Sequence, residues 1–169
     1  MFTFIKETFN LVKWLFCSKP TDSDELVETV TKYYPIGSKY MMWCGRLVYK
    51  ESTKDLIDSQ RETEMFKHDI NHETIHLKQA QKKKWWLWFY INYGWQWLIG
   101  NPFWKPFESA YYTNPYEMEA YGNDEDYDYP KNYDGSFLHC YKLKKRKKTY
   151  KEHADNWDEY CQSIIKTKE

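Results

Sequence analysis

Apolar residues recur along this chain with two different periods, and the switches between them mark its elements. From Met1 to Cys17 the apolar positions Phe2, Ile5, Phe9, Val12 and Phe16 return every three or four residues, between Lys6, Glu7, Asn10 and Lys13. That period predicts an amphipathic helix, either packed on the domain or lying on a membrane surface. Lys19 to Asp24 is a turn-rich break that can cap a short helix from Glu25 to about Lys32, and Pro35 to Ser38 reads as a loop. The segment from Lys39 to Tyr49 is short and rich in β-formers, which predicts one strand bulged at Gly45 or two short strands. Ser59-Gln60-Arg61-Glu62 then fits a capping box, so a long helix is expected from near Gln60 to about Lys84. Lys82, Lys83 and Lys84 near its end complement the helix dipole.

The run from Trp85 to Gly100 is apolar nearly all round, broken by Asn92 and Gln96. As a helix it is about 24 Å long, short of the roughly 30 Å hydrocarbon core of a bilayer. It suits a buried helix behind the long one, and its Trp and Tyr residues beside a Lys cluster also have the composition of a membrane interface. Asn101-Pro102 ends it. Asn114-Pro115 is a helix start, with Asn at the cap, Pro at the first helical position and Glu117 in the first turn. Asp124 to Asp128 reads as a solvated acidic patch and Tyr129 to Ser136 as a loop. Tyr150 to about Lys166 is expected to form a final helix with Trp157, Tyr160, Cys161 and Ile164 inward.

Composition narrows what these elements can do. A chain of 169 residues suits one domain with a real core. Cationic and anionic residues cancel to a formal charge of +0, so no global field argues for a nucleic-acid partner. Lys142 to Lys148 is cationic at every position but Leu143, the pattern of a solvated helix face or of an anion- or lipid-binding patch. Cys17, Cys44, Cys140 and Cys161 lack the close spacing of a thiolate zinc site and read as reduced thiols of a cytosolic protein. No apolar run with a small-residue cleavage site marks a secretory signal, so a cytoplasmic location is expected.

The candidate chemistry lies in the long helix, at Asn71-His72-Glu73-Thr74-Ile75-His76. At 3.6 residues per turn His72 and His76 stand one above the other, while Glu73 points about 100° away around the axis. On the same wheel Glu73 falls within the apolar arc of Phe66, Ile70, Leu77 and Ala80, with Asn71, Lys78 and Lys82 on the wet side. A carboxylate in an apolar stripe needs a partner or a task. Two imidazoles on one face can share a zinc ion that keeps an open position for water, and Glu73 can take the proton of that water. Downstream, Glu117 and Glu119 lie about 200° apart on their helix, so only one of them can look at the histidine pair.

The HETIH run followed by Glu117-x-x-Ala120 resembles the gluzincin branch of the zinc metallopeptidases, in which a Glu on a separate helix completes the ligand set. More narrowly, a strand, an INHExxH run, an aromatic helix and a FExEAY-like segment, from about Tyr40 to Asp126, resemble a group of small uncharacterised bacterial and phage proteins. The chain departs from the larger peptidase families at Tyr121, where they carry Asp. The resemblance implies His72, His76 and Glu117 as zinc ligands and Glu73 as general base, in hydrolysis of a peptide or protein substrate by water activated at Zn2+. Glu119 remains the rival third ligand. Tyr111, Tyr112, Tyr116 and Tyr121 are all candidate donors to the oxyanion.

The expected architecture is a mainly helical α+β domain over residues 1–169, with a zincin-like metal helix behind a short β element. It comprises an N-terminal helical segment (1–34), a metallopeptidase-like core (39–128) and a basic C-terminal helical segment (139–169). Two rival functions stand beside peptidase: a non-catalytic protein fastened by zinc, and a module that docks on a membrane surface through Trp85 to Trp97 or on anionic partners through Lys142 to Lys148.

Overall fold

The structure is a computed structural model, and it describes residues 21, 23–32, 34–35, 38–83, 86–100 and 107–166. The helix expected over Met1 to Cys17 lies outside the described residues. The described chain is α+β and mostly helical, with a three-stranded sheet. It divides into two compact units, residues 1–67 and 68–169, and the boundary falls within the long helix.

In the first unit, β1 (Val27–Thr31), β2 (Tyr40–Trp43) and β3 (Arg46–Lys50) form a sheet of order β1-β3-β2, parallel between β1 and β3 and antiparallel between β2 and β3. Two short strands are therefore present rather than one bulged strand. Their turn is the two-residue Cys44-Gly45, with φ of 51° and 79°, the left-handed pair that a tight hairpin uses. Leu47, Val48 and Tyr49 on the central strand are buried with Met42 and Ile57.

The helix expected from Glu25 to Lys32 is instead strand β1. Val27, Thr29 and Thr31 alternate with more exposed residues, and pairing with β3 satisfies a backbone that the cap signal alone left to either state. Arg61 fastens this strand: its guanidinium donates to both oxygens of Glu28, which also accepts from the Tyr49 hydroxyl at 2.8 Å.

The long helix expected from near Gln60 starts four residues later, and a separate short helix precedes it. Helix α1 (Lys54–Gln60) stops, and α2 (Glu64–Lys82) restarts after a turn. Ser59 is no cap, because its hydroxyl donates back to Leu56 O within α1. The cap is Thr63, whose Oγ1 accepts from Phe66 N at 3.2 Å.

The second unit holds the rest of α2 with α3 (Trp86–Gly100), α4 (Phe107–Tyr112), α5 (Pro115–Tyr121), α6 (Arg146–His153) and α7 (Trp157–Lys166). Met118, Cys140, Tyr141, Trp157 and Cys161 form its core beneath α5. The final helix is broken where continuity was expected: His153 leaves helical geometry and Ala154–Asn156 is a 3-10 turn. Trp157 beyond that turn is buried, as is Cys161, one helical turn further on. Cys44, Cys140 and Cys161 are buried, and no disulfide links them among the described residues.

Candidate metal centre

Two helices bring the site together. On α2, His72 and His76 lie one turn apart and meet edge to face, with ring centroids at 4.8 Å and planes at 84°. Helix α5 begins as its sequence predicts: the Asn114 side chain accepts from Tyr116 N at 3.2 Å, Pro115 fills the first position, and Glu117 falls in the first turn. From there the Glu117 carboxylate reaches both rings, at 3.2 Å from His72 Nε2 and 3.3 Å from His76 Nε2. All three side chains are buried, and one ligand atom from each lies within 4.8 Å of the others.

A hydrogen bond between charged groups settles at about 2.7–2.9 Å. Two ligands on a tetrahedral zinc with bonds of about 2.0–2.1 Å stand roughly 3.3–3.4 Å apart. The Glu117 separations, from Oε2 to His72 and from Oε1 to His76, each lie nearer the second spacing than the first. Two imidazoles and a carboxylate are also a donor set that zinc accepts. The residues present therefore fit the metal.

Glu119 faces away from the histidines, into a cluster of its own. Its Oε2 accepts from Gln79 Nε2 at 2.8 Å and from the Tyr133 hydroxyl at 3.2 Å, and its Oε1 accepts from the Tyr129 hydroxyl at 2.9 Å. Burial pushes the Glu119 carboxyl up, and the three donors pull it only part of the way back. Gln79 links this cluster to the metal-ligating face. Its amide nitrogen is committed to two acceptors, Glu119 and Tyr116 O (3.0 Å), so its oxygen must accept from His76 Nδ1 at 2.8 Å. That places a proton on Nδ1 and leaves Nε2, turned toward Glu117, as the atom that either donates to the carboxylate or, once deprotonated, offers its lone pair to a metal.

The charges at the site are strongly coupled. Burial works against a charged His76, but the Glu117 carboxylate outweighs it and raises the imidazolium to about 9. Burial likewise opposes a charged Glu117, and the two histidines overcome it, holding its carboxyl well below the usual carboxylate range. The Glu73 charge favours the protonated forms of both His76 and Tyr93, and its side chain is half-buried.

Tyrosines complete the surroundings. The Tyr93 hydroxyl on α3 donates to Glu117 Oε1, and burial with the Glu117 charge holds this phenol far above its ordinary range. Asn114, besides capping α5, donates its amide to Tyr93 O at 3.2 Å and so ties α3 to the start of α5. The Tyr121 ring meets His72 edge to face at 4.5 Å, and the Tyr111 and Tyr121 hydroxyls share a hydrogen bond. Tyr112 stacks on Tyr150, and Tyr116 packs on Phe89.

Comparison with protein-family models, with curated proteins and with solved structures finds no match to this chain. The site therefore has to be read from its own geometry.

The structure brings His72, His76 and Glu117 together with Glu73 beside them. One helical-wheel expectation fails: Asn71 is buried instead of wet. Its amide donates to Asp124 O at 2.8 Å and Asp126 O at 3.0 Å, pinning the acidic loop to α2, because the segment after α5 folds back over that side of the helix. Asp124 in that loop is only partly exposed, so the solvated acidic patch begins at Glu125. Sequence reasoning misses Tyr93 and Gln79 as contributors. Gln79 carries a faint signal, three residues beyond His76 and so on its side of the helix, whereas Tyr93 is hidden in a run whose composition dominates its reading.

Proposed function

We propose that His72, His76 and Glu117 hold a zinc ion and that the chain is a zinc-dependent peptidase. The observation that supports this is the convergence of two imidazoles and a carboxylate, all buried, with one ligand atom from each within 4.8 Å of the others and the Glu117 oxygens 3.2 and 3.3 Å from the two rings. Zinc bound there supplies a Lewis acid for the scissile carbonyl and lowers the pKa of a coordinated water toward 7.

The chain's own residues do the rest. Glu73, adjacent in sequence to one ligand and electrostatically coupled to the other histidine, accepts the proton of the attacking water and returns it to the leaving amine. Gln79 holds His76 in the tautomer that presents Nε2. Tyr121 keeps its proton at neutral pH and stands beside the His72 ring as an O–H donor for developing negative charge, while Tyr93, its proton committed to Glu117, orients that ligand.

The test is zinc content by elemental analysis of wild type beside His76→Ala, followed by cleavage of a fluorogenic peptide library by wild type and Glu73→Gln. One zinc per chain, absent from His76→Ala, with a loss of about 10²–10⁴-fold in kcat for a Glu73→Gln variant that keeps its metal, is the expected result. No zinc in the wild type sinks the proposal at its first step.

The burial of all three ligands favours a second reading, a zinc that fastens α2 to α5 without catalysis. In that case the zinc is retained, chelation lowers the melting temperature, and neither wild type nor Glu73→Gln cleaves any peptide.

A further inference from the structure

Helix α3 shows one apolar face to solvent. Leu87, Trp88, Ile91, Trp95, Leu98 and Ile99 are 44–60% exposed. At 100° per residue they fill one arc of about 120°, while the buried Phe89 and the site residue Tyr93 occupy the opposite side. A contiguous apolar stripe of this kind on a charged, otherwise polar chain marks a contact surface. None of the described helices is long and apolar enough to cross a membrane, and at about 22 Å α3 itself falls short of a bilayer core.

Folding adds what the sequence keeps apart: the basic run sits at the end of this stripe. Arg146 donates to both the backbone and the side-chain oxygen of Gln96, and the groove beside it is lined by Ile99, Gly100 and residues 143–148. Lys144, Lys145, Lys147 and Lys148 are exposed there, and Lys82 and Lys83 precede the other end of the helix in the chain.

We propose that this face of α3 docks on an anionic phospholipid surface. Trp88 and Trp95 sit at headgroup level, the aliphatic residues dip into the acyl boundary, and the lysines pair with lipid phosphates. Charge selects this occupant over a second copy of the chain. Parallel pairing of two α3 helices would set residues 144–148 against themselves, and antiparallel pairing would set them against Lys82 and Lys83, so either arrangement brings like charges together.

The experiment is co-sedimentation of the full chain with vesicles of phosphatidylcholine alone and of phosphatidylcholine mixed with phosphatidylglycerol, across a salt series. It runs beside light scattering of the protein without lipid. Expected are a monomer in solution and binding to the mixed vesicles that weakens with salt. Lys144→Glu/Lys145→Glu/Lys147→Glu should bind on the order of a hundredfold less, at about 1 kcal/mol for each lysine near an anionic surface. Trp88→Gln/Trp95→Gln should bind roughly tenfold less. All these side chains are exposed, so circular dichroism of the variants should match wild type. The proposal is overturned if wild type stays in the supernatant at low salt, if binding ignores phosphatidylglycerol, or if light scattering reports a dimer that the tryptophan substitutions dissociate. None of these readouts depends on zinc, so this proposal and the peptidase reading fail separately.

Discussion

Glu117 and Glu119 are two residues apart on one helix and have opposite surroundings. Glu117 faces two imidazoles and the Tyr93 hydroxyl; Glu119 faces two phenols and an amide. A zinc bound at this site therefore depends on the first and only indirectly on the second. Glu117→Ala should lose the metal, measured as zinc per chain after dialysis. Glu119→Gln should keep its stoichiometry with affinity lowered about 10–100-fold, since it reaches the metal ligands only through Gln79 and the orientation of His76. A Glu119→Gln variant devoid of zinc would reverse the two roles.

At the scale of elements, α5 is held from both ends. Asn114 binds its first turn and the carbonyl of Tyr93, and its last turn packs against α7 through Gly122. A Cβ at Gly122 would stand 3.0 Å from the Tyr141 hydroxyl and 3.2 Å from the Cys161 carbonyl carbon. In an open helix end, Gly→Ala gains about 0.4–1 kcal/mol by restricting the unfolded chain. Here the clash is with packed backbone, and overpacking costs about 1–3 kcal/mol. Gly122→Ala should thus be destabilised by about 1–2 kcal/mol in urea unfolding. A variant more stable than wild type would show that α7 can retreat without loss.

Across the whole molecule, stability should carry a pH dependence that originates in the loop pinned by Asn71. Burial raises the Asp124 carboxyl to about 6; His72 and His68 from α2 favour its charged form, and Asp158 from α7 and the neighbouring Glu125 oppose it. The folded chain therefore binds this proton more tightly than the unfolded chain does. Its stabilising effect is complete below about pH 4 and is lost as the pH rises through about 6. Asp124→Asn removes that loss, so relative to wild type it should gain about 1–2 kcal/mol between pH 4 and pH 7, allowing for solvent at this partly exposed group. Thermal melts of both proteins at the two pH values measure the difference. A constant gap between them would mean that Asp124 is not desolvated.

Much of the candidate site can be read from the sequence because it rests on local rules. The spacing of His72 and His76 makes them neighbours on any α-helix, and Asn114-Pro115 sets Glu117 in a first turn whatever lies around it. The strands at Tyr40 and Arg46 follow from β-formers around a Gly turn. Elsewhere the local rules permit two answers. The segment after Glu25 became a strand because β3 offered a partner, and Thr63 displaced Ser59 as the cap because α1 ended first. Which carboxylate meets the histidines, which tyrosine touches that carboxylate, and where the basic run comes to rest are contacts between elements distant in sequence. Helical periodicity orders side chains around one axis, but the rotation of one helix about another is set by packing, and here only the tertiary structure decided it.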